Sequence, residues 1–593
     1  MRLRDLLLLA ARVALLIFLA VAAARPLAGR GKADDHAPTD VVMLVDNSAS
    51  TGRVREGRTL LDWQLDVVRA TLADATPADR FWIVPAAGMP LAVGVDAATA
   101  LSVLDSLAAT EAPADLVERS AEATAAVPVE EDRVRELQIY TDGQADALRG
   151  GPLDLSSWGR VVVSVPAGLS PSNGFVADLR LEPDGVVVPG DPPAAAVALA
   201  RGAGPASGDG DTTEVRLVVD GRTAAVTRTV PGSEALVNLP DLEPGPHTIR
   251  AETPAAGLRS DDVRHLGLLA SEPPTVLYGS GDGFLDAALS TLAEDGRIQS
   301  NGNAPLVVLE GAATSVPSGS GPLLLIPPAE LPRLPAFQQR LDALGVPWRL
   351  EGRSGAGDLG LTGGDLGGLD VVRVSVAHAL TRLTAPSTED DSVLLRTTDG
   401  APWLVRGRAA DRVYLLLASP LRPDATSLPV SAAMVPFVER LVLHWSRPTS
   451  SPLRSMDAGS TVTLPPRLEG LRTPEGHERP AEGGAPWTPL RSGVWTLVLP
   501  AEQGGIRYVG VNVPASESDL RSASAEEVRE AFDGSELEIV ESDAGWKNAV
   551  FGARRGAEVT PWVVALILAL AIAELLLAAP SRRGGRSEVA EAA

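Results

Sequence analysis

Two apolar runs, each ending in oxygen-bearing side chains, constrain this chain more than any other feature. Val41–Val45 leads directly into Asp46-Asn47-Ser48-Ala49-Ser50, and Leu137–Ile139 into Tyr140-Thr141-Asp142-Gly143. Val41–Val45 is wholly apolar and Leu137–Ile139 is interrupted only by Gln138; short runs of this kind read as strands buried on both faces, the pattern of a parallel sheet. In open α/β sheets ligands bind at the carboxyl ends of such strands. Asp46, Ser48 and Ser50 offer a carboxylate and two hydroxyls to a hard cation, and Asp142 adds a second carboxylate that can orient the cation's waters. The competing reading is that these residues only hydrogen-bond a loop, since turns are rich in Asp and Ser.

Around these strings, residues 37–168 alternate strands with helices. Leu61, Leu65, Val68 and Leu72 recur at helical spacing within Leu60–Ala75. Phe81–Pro85, Leu137–Thr141 and Arg160–Val165 read as strands, and Ala97–Ala108 and Leu116–Ala126 as helices. Such alternation implies a parallel sheet covered on both faces. Over 173–271 the period becomes two, in runs such as Thr213–Val219 and Ala224–Val230, with turns at Asp220-Gly221 and Pro244-Gly245. That spacing predicts a β-sandwich. A second α/β region spans 272–450, with the Gly-rich stretch Arg353–Gly368 as an inserted loop. A small β domain covers 455–520. The expected fold class is therefore multidomain α/β and β.

Both ends are apolar. Pro561–Ala579 is long enough at 1.5 Å per residue to cross a bilayer nearly completely. Trp562 suits one interface, Glu574 lies near the far end, and Arg582, Arg583 and Arg586 follow as a cytoplasmic anchor. The expectation is a transmembrane helix at 561–580. Residues 5–25 form a second expected helix, in which Arg12 must snorkel toward Arg2 and Arg4. A cleaved secretory signal ending at Ala22-Ala23-Ala24 is the alternative. Both readings place residues 33–555 outside the cytoplasm. The formal charge of −24 argues against a nucleic-acid surface. Cysteine is absent, which removes thiolate metal sites and thiol nucleophiles.

The Asp46-x-Ser48-x-Ser50 string, paired with Thr141-Asp142-Gly143, resembles the metal-ion-dependent adhesion site of von Willebrand factor type A domains, which have a Rossmann-like fold. The N-terminal stretch ending in Ala23-Ala24-Arg25-Pro26-Leu27 is similar to a membrane helix of BatA (aerotolerance regulator) proteins. Arg412–Leu421, Ser427-Leu428-Pro429, Met434–Val438 and Val511–Leu520 resemble later segments of the same bacterial family. The resemblance implies a type A domain at 37–168, a β-sandwich at 173–271 and a glutamine-amidotransferase-like domain at 272–450, between N- and C-terminal transmembrane helices. It also implies Mg²⁺ held by Asp46, Ser48, Ser50 and Asp142. Two departures are visible. The chain begins at what resembles the family's second membrane helix, and Ala114 stands where the pattern has a Thr ligand, with Thr110 nearby but off register.

An amidotransferase needs a cysteine nucleophile, so that reaction is excluded. Tyr278-Gly279-Ser280-Gly281-Asp282-Gly283 matches neither a nucleophile elbow nor a Lys-bearing phosphate loop. The six His residues form no His-x-x-x-His pair. The sequence therefore predicts a non-enzymatic interaction or scaffold protein of the bacterial inner membrane, two-pass, with most of the chain extracytoplasmic. Its expected partners are proteins bound through the type A domain, the lipid bilayer, and other BatA-like proteins with a MoxR-type ATPase. Two alternatives are an assembly or chaperone-like role with that ATPase, and a membrane-bound hydrolase or transferase with an unrecognised site.

Overall fold

In the computed structural model the Val41–Val45 run lies within the strand Thr39–Val45, buried along its whole length. The structure describes residues 12–19, 21, 27–28, 38–165, 172–182, 187–188, 192–202, 212–277, 283–300, 305–311, 321–354, 358–363, 368–383, 392–409, 412–446, 453–500, 505–533, 537–541, 545–546, 549–550, 557–558 and 560–578. The chain divides into two compact units, residues 1–171 with 519–593, and residues 172–518.

The first unit is built on a six-stranded sheet. Thr39–Val45 is central and pairs in parallel with Arg80–Pro85 on one side and Val134–Tyr140 on the other. Arg160–Ser164 continues the parallel set, and Ala92–Val95 closes the opposite edge antiparallel to Arg80–Pro85. The last parallel strand, Leu537–Val540, comes from far along the chain and pairs with Arg160–Ser164. Thr59 caps the helix Leu60–Ala73 in a reciprocal box with Asp62. Leu61, Leu65, Val68 and Leu72 of that helix share a core with Val41, Met43 and Val45. Trp546 enters the same core, its ring 4.7 Å from that of Tyr140 and its Nε1 donating to Thr71 Oγ1 at 3.0 Å.

In the second unit, two antiparallel sheets share one apolar core. One contains Gly174–Glu182, Ala194–Arg201 and Glu234–Asn238; the other contains Arg222–Thr229, Thr213–Val219, Gly245–Glu252 and Val263–Ala270. An eight-stranded sheet follows. Its parallel strands Val276–Leu277, Leu306–Glu310, Leu323–Ile326 and Arg412–Leu417 pass into an antiparallel set starting at Pro402–Ala409.

Several expectations are corrected here. Among the described residues no helix is long and apolar enough to cross a membrane, so the helix at the C-terminal end is no candidate span and the expected two-pass inner-membrane localisation is not supported. The C-terminal helix Thr560–Ala578 carries Glu574, whose Oε1 takes a hydrogen bond from Arg12 Nε at 2.6 Å. The two charges, both expected toward the cytoplasmic interface, meet each other. Residues 5–11, 22–25, Arg2, Arg4 and Arg582 to Arg586 lie outside the described residues, as does the 278–282 part of the glycine string. The fold class expected from the family resemblance also gives way to a mixed α/β chain whose described residues form ten sheets, five of them two-stranded. The inserted loop 353–368 contains a strand, Leu359–Gly363, paired with Ser392–Thr397. A Cβ on Gly363 would sit 2.8 Å from the Leu394 carbonyl oxygen, so this glycine serves close packing.

A second close approach is tighter. Val263–Ala270 lies against Ile506–Asn512, where a Cβ on Gly267 would fall 1.7 Å from the Tyr508 carbonyl oxygen and one on Gly510 2.1 Å from that of His265. Asn512 locks the crossing by accepting from His265 N–H at 2.6 Å and donating to its carbonyl at 2.9 Å. Backbone atoms cannot move aside as a side-chain tip can. Gly267→Ala is therefore expected to destabilise the second unit by at least about 3 kcal/mol, read as an earlier transition in urea, whereas Gly283→Ala, with open space around its Cβ, leaves that transition in place.

Candidate functional site

The carboxyl edge of the six-stranded sheet brings Asp46, Ser48, Ser50 and Asp142 together, as the strand order requires. Asp46 N–H donates to the Tyr140 carbonyl at 2.8 Å, joining the two loops at the point where their strands end. Asp46 Oδ1 accepts from Ser48 N–H at 3.0 Å, and its Oδ2 accepts from Thr141 Oγ1 at 2.7 Å. Ser48 and Ser50 share a hydrogen bond of 3.2 Å between their hydroxyls. Gly143, at φ +76°, turns the second loop where a Cβ would collide with Val165 at 2.3 Å.

The residue that decides the chemistry here is Arg53. Its guanidinium donates to Asp142 Oδ2 at 2.7 Å and to the Ser50 carbonyl at 3.0 Å, while Gln144 N–H serves Asp142 Oδ1 at 3.2 Å. All four carboxylate oxygens of Asp46 and Asp142 thus have donors from the protein. Gln64, with its amide in the orientation that satisfies both ends, donates to the Asp46 carbonyl at 2.8 Å and accepts from Asp142 N–H at 3.1 Å. Asn47 reaches further, accepting from Ala87 N–H and donating to its carbonyl. Thr110 donates through both N–H and hydroxyl to the Asn47 carbonyl, so it supports the loop and does not replace the hydroxyl lacking at Ala114.

Asp46, Ser48 and Ser50 are fully buried, Asp142 nearly so, and Arg53 is only 7% exposed. These residues do not fit a resident Mg²⁺. Such an ion wants near-octahedral oxygen ligands, and here the cationic partner of Asp142 is a guanidinium. Among the described residues no group of three or more His, Asp or Glu side chains could hold a metal ion. The metal-binding expectation is corrected accordingly. The sequence pattern located the oxygens but missed Arg53 and Gln64, which carry no motif of their own.

Elsewhere, His247 is held between the Asp220 carboxylate and the Glu243 carbonyl, and His378 lies between the carbonyls of Gly352 and Pro328. Neither keeps a ring nitrogen free to act as a base. A cavity of about 500 Å³ opens beyond Leu306–Glu310 and Leu323–Ile326, beside Glu310, Arg333 and Arg422. Its arginines already pair with Glu330 and Asp424.

No family model and no curated protein matches the chain. Nothing in these comparisons identifies a BatA-type protein, a von Willebrand factor type A domain or an amidotransferase. A solved structure of the Bacteroides ovatus mixed-linkage glucan utilization locus protein SGBP-B, in complex with a mixed-linkage heptasaccharide, is matched at 10% identity over 54% of this chain and 63% of that one, with a TM-score of 0.09. The chain spans less than two thirds of that structure, and so low a TM-score carries no argument about fold or ligand.

Two outcomes test the network. Removing one partner of a buried ion pair strands the other charge, typically at about 3–5 kcal/mol. Arg53→Met should cost stability on that scale in urea unfolding, and adding Asp142→Asn should restore much of it. The second outcome concerns pH. Burial, reinforced by the neighbouring Asp142, pushes the Asp46 carboxyl from 3.8 up to about 6. A raised carboxyl contributes stability below its unfolded value and loses it as pH rises from about 4 to 6. Asp46→Asn stays neutral throughout, so its melting temperature should gain on the parent's across that window and hold the gain above it. Parallel curves would show that the Asp46 carboxyl titrates in the fold as it does in the unfolded chain.

Proposed function

We propose that this is a non-catalytic interaction protein, and that the loops on the carboxyl edge of its six-stranded sheet present a fixed surface to a protein partner without a bridging metal. The observation that carries this reading is the saturation of the edge: every oxygen of Asp46 and Asp142 is engaged by the protein itself. A site of that kind leaves no carboxylate oxygen without a protein donor, and it fixes loop conformation. Pre-ordered loops lose little entropy on association, which favours binding.

The surface they carry is apolar at its tips. Val54, on the hairpin after the first loop, is 64% exposed, and Met89, on the loop after Arg80–Pro85, is 81% exposed. Trp63, in the first turn of Leu60–Ala73, is exposed, with the Arg58 guanidinium 5.1 Å from its ring centroid. Arginine, methionine and tryptophan are the residues that protein interfaces favour at their centres.

The experiment is a pull-down with the purified full chain as bait, run with and without EDTA, beside a Val54→Asp/Met89→Asp double variant. Capture that survives EDTA and is lost in the double variant supports the reading. EDTA-sensitive capture returns a cation to the interaction, and capture unchanged by the two substitutions removes the edge from it.

A further inference from the structure

The unit formed by residues 172–518 begins and ends at one hydrogen-bonded knot. Asn173, fully buried at its start, donates through Nδ2 to the Ser518 carbonyl at 3.1 Å and to Asp261 Oδ2 at 2.6 Å. Its Oδ1 accepts from Leu258 N–H at 3.2 Å. This one amide, one residue into the unit, thus ties its last residue to the loop at 254–262. Two atoms in this knot are buried without a hydrogen-bond partner: Asp261 Oδ1 and Ser518 Oγ. The Ser518 hydroxyl faces the same carboxyl.

The Asp261 carboxylate takes one aligned side-chain N–H, with the Ser518 hydroxyl and its own N–H also turned toward it, and still leaves Oδ1 without a partner, whereas a carboxylic acid has an O–H to offer that orphaned side. We propose that Asp261 works as a proton-operated clasp: neutral, it keeps the two ends of the 172–518 unit fastened to the 254–262 loop through Asn173, and on releasing its proton to solvent it lets them part.

The charged surroundings agree. Asp262, next in the chain, repels a charge on Asp261, and Arg259 acts on Asp262. Glu517 is buried beside Ser518 with partners of its own, and Arg264 on the following strand is committed to Asp457 at 3.1 Å. No cation among these is engaged with Asp261. Burial, with the Asp262 repulsion behind it, pushes the Asp261 carboxyl up to about 7. The clasp is then tightest in acid. Its opening constant should rise by up to tenfold per pH unit between about 4 and 7 and level off above that, because above it the carboxyl is ionised whether the clasp is closed or open.

Hydrogen–deuterium exchange on the full chain reads this directly, in peptides covering 172–176, 254–262 and 514–518, after correction for intrinsic exchange. The parent should show the rise and the plateau. Asp261→Asn should be flat, and Asp262→Asn should reach its plateau at lower pH because the repelling charge is gone. A flat parent profile, or a rise in Asp261→Asn equal to the parent's, overturns the clasp. If Asp261→Asn does not fold, the Asp262→Asn profile decides, and an unmoved plateau overturns it equally.

Discussion

Two carboxylates held away from water at one sheet edge set the terms for the first unit. A buried charge costs several kcal/mol unless a partner compensates it, and Arg53 is the partner for Asp142. The same residue accepts Leu60 N–H on its own carbonyl, which fixes where the helix Leu60–Ala73 begins, and its side chain holds the Ser50 carbonyl. Loop conformation, helix position and charge balance therefore converge on one side chain. The opposite edge follows the same logic: Asp40 is buried between the forks of Arg80 and Arg133. A planar guanidinium suits such sites because it meets a carboxylate with several donors at fixed angles.

What the sequence made legible was what depends on neighbours in sequence. Val41–Val45 and Phe81–Pro85 lie within strands because nearly every residue there is apolar, and the spacing of Leu61, Leu65, Val68 and Leu72 marks the buried face of a helix. The positions of Asp46, Ser48, Ser50 and Asp142 at one edge follow from those strands. What satisfies them does not, because Arg53 and Asp142 are 89 residues apart. An Asp-x-Ser-x-Ser string announces oxygens and is silent on the donor that reaches them.

Two other discrepancies share that cause. Leu537–Val540 is four residues long with a glutamate inside it, so no local pattern assigns it to a sheet whose neighbouring strand is Arg160–Ser164. The glycines at 360 and 363 look like loop punctuation, yet Gly363 permits a strand to approach its neighbour closely. In both cases a contact distant in sequence overrides the local signal. At the two ends of the chain, apolar composition suggested a bilayer, whereas among the described residues no helix is long and apolar enough to cross one.

The late arrival of Leu537–Val540 also bears on how the chain is made. Until that segment leaves the ribosome, Arg160–Ser164 is an outer strand with Val161, Val162 and Val163 beside a row of unpaired backbone groups. At 5–20 residues per second, the interval between the two strands lasts roughly 20 to 75 s. Apolar strand edges left open for that long are templates for pairing with the wrong chain. The nascent polypeptide therefore passes through a long, sticky adolescence, and cells that express it well must shelter that edge until synthesis is nearly finished.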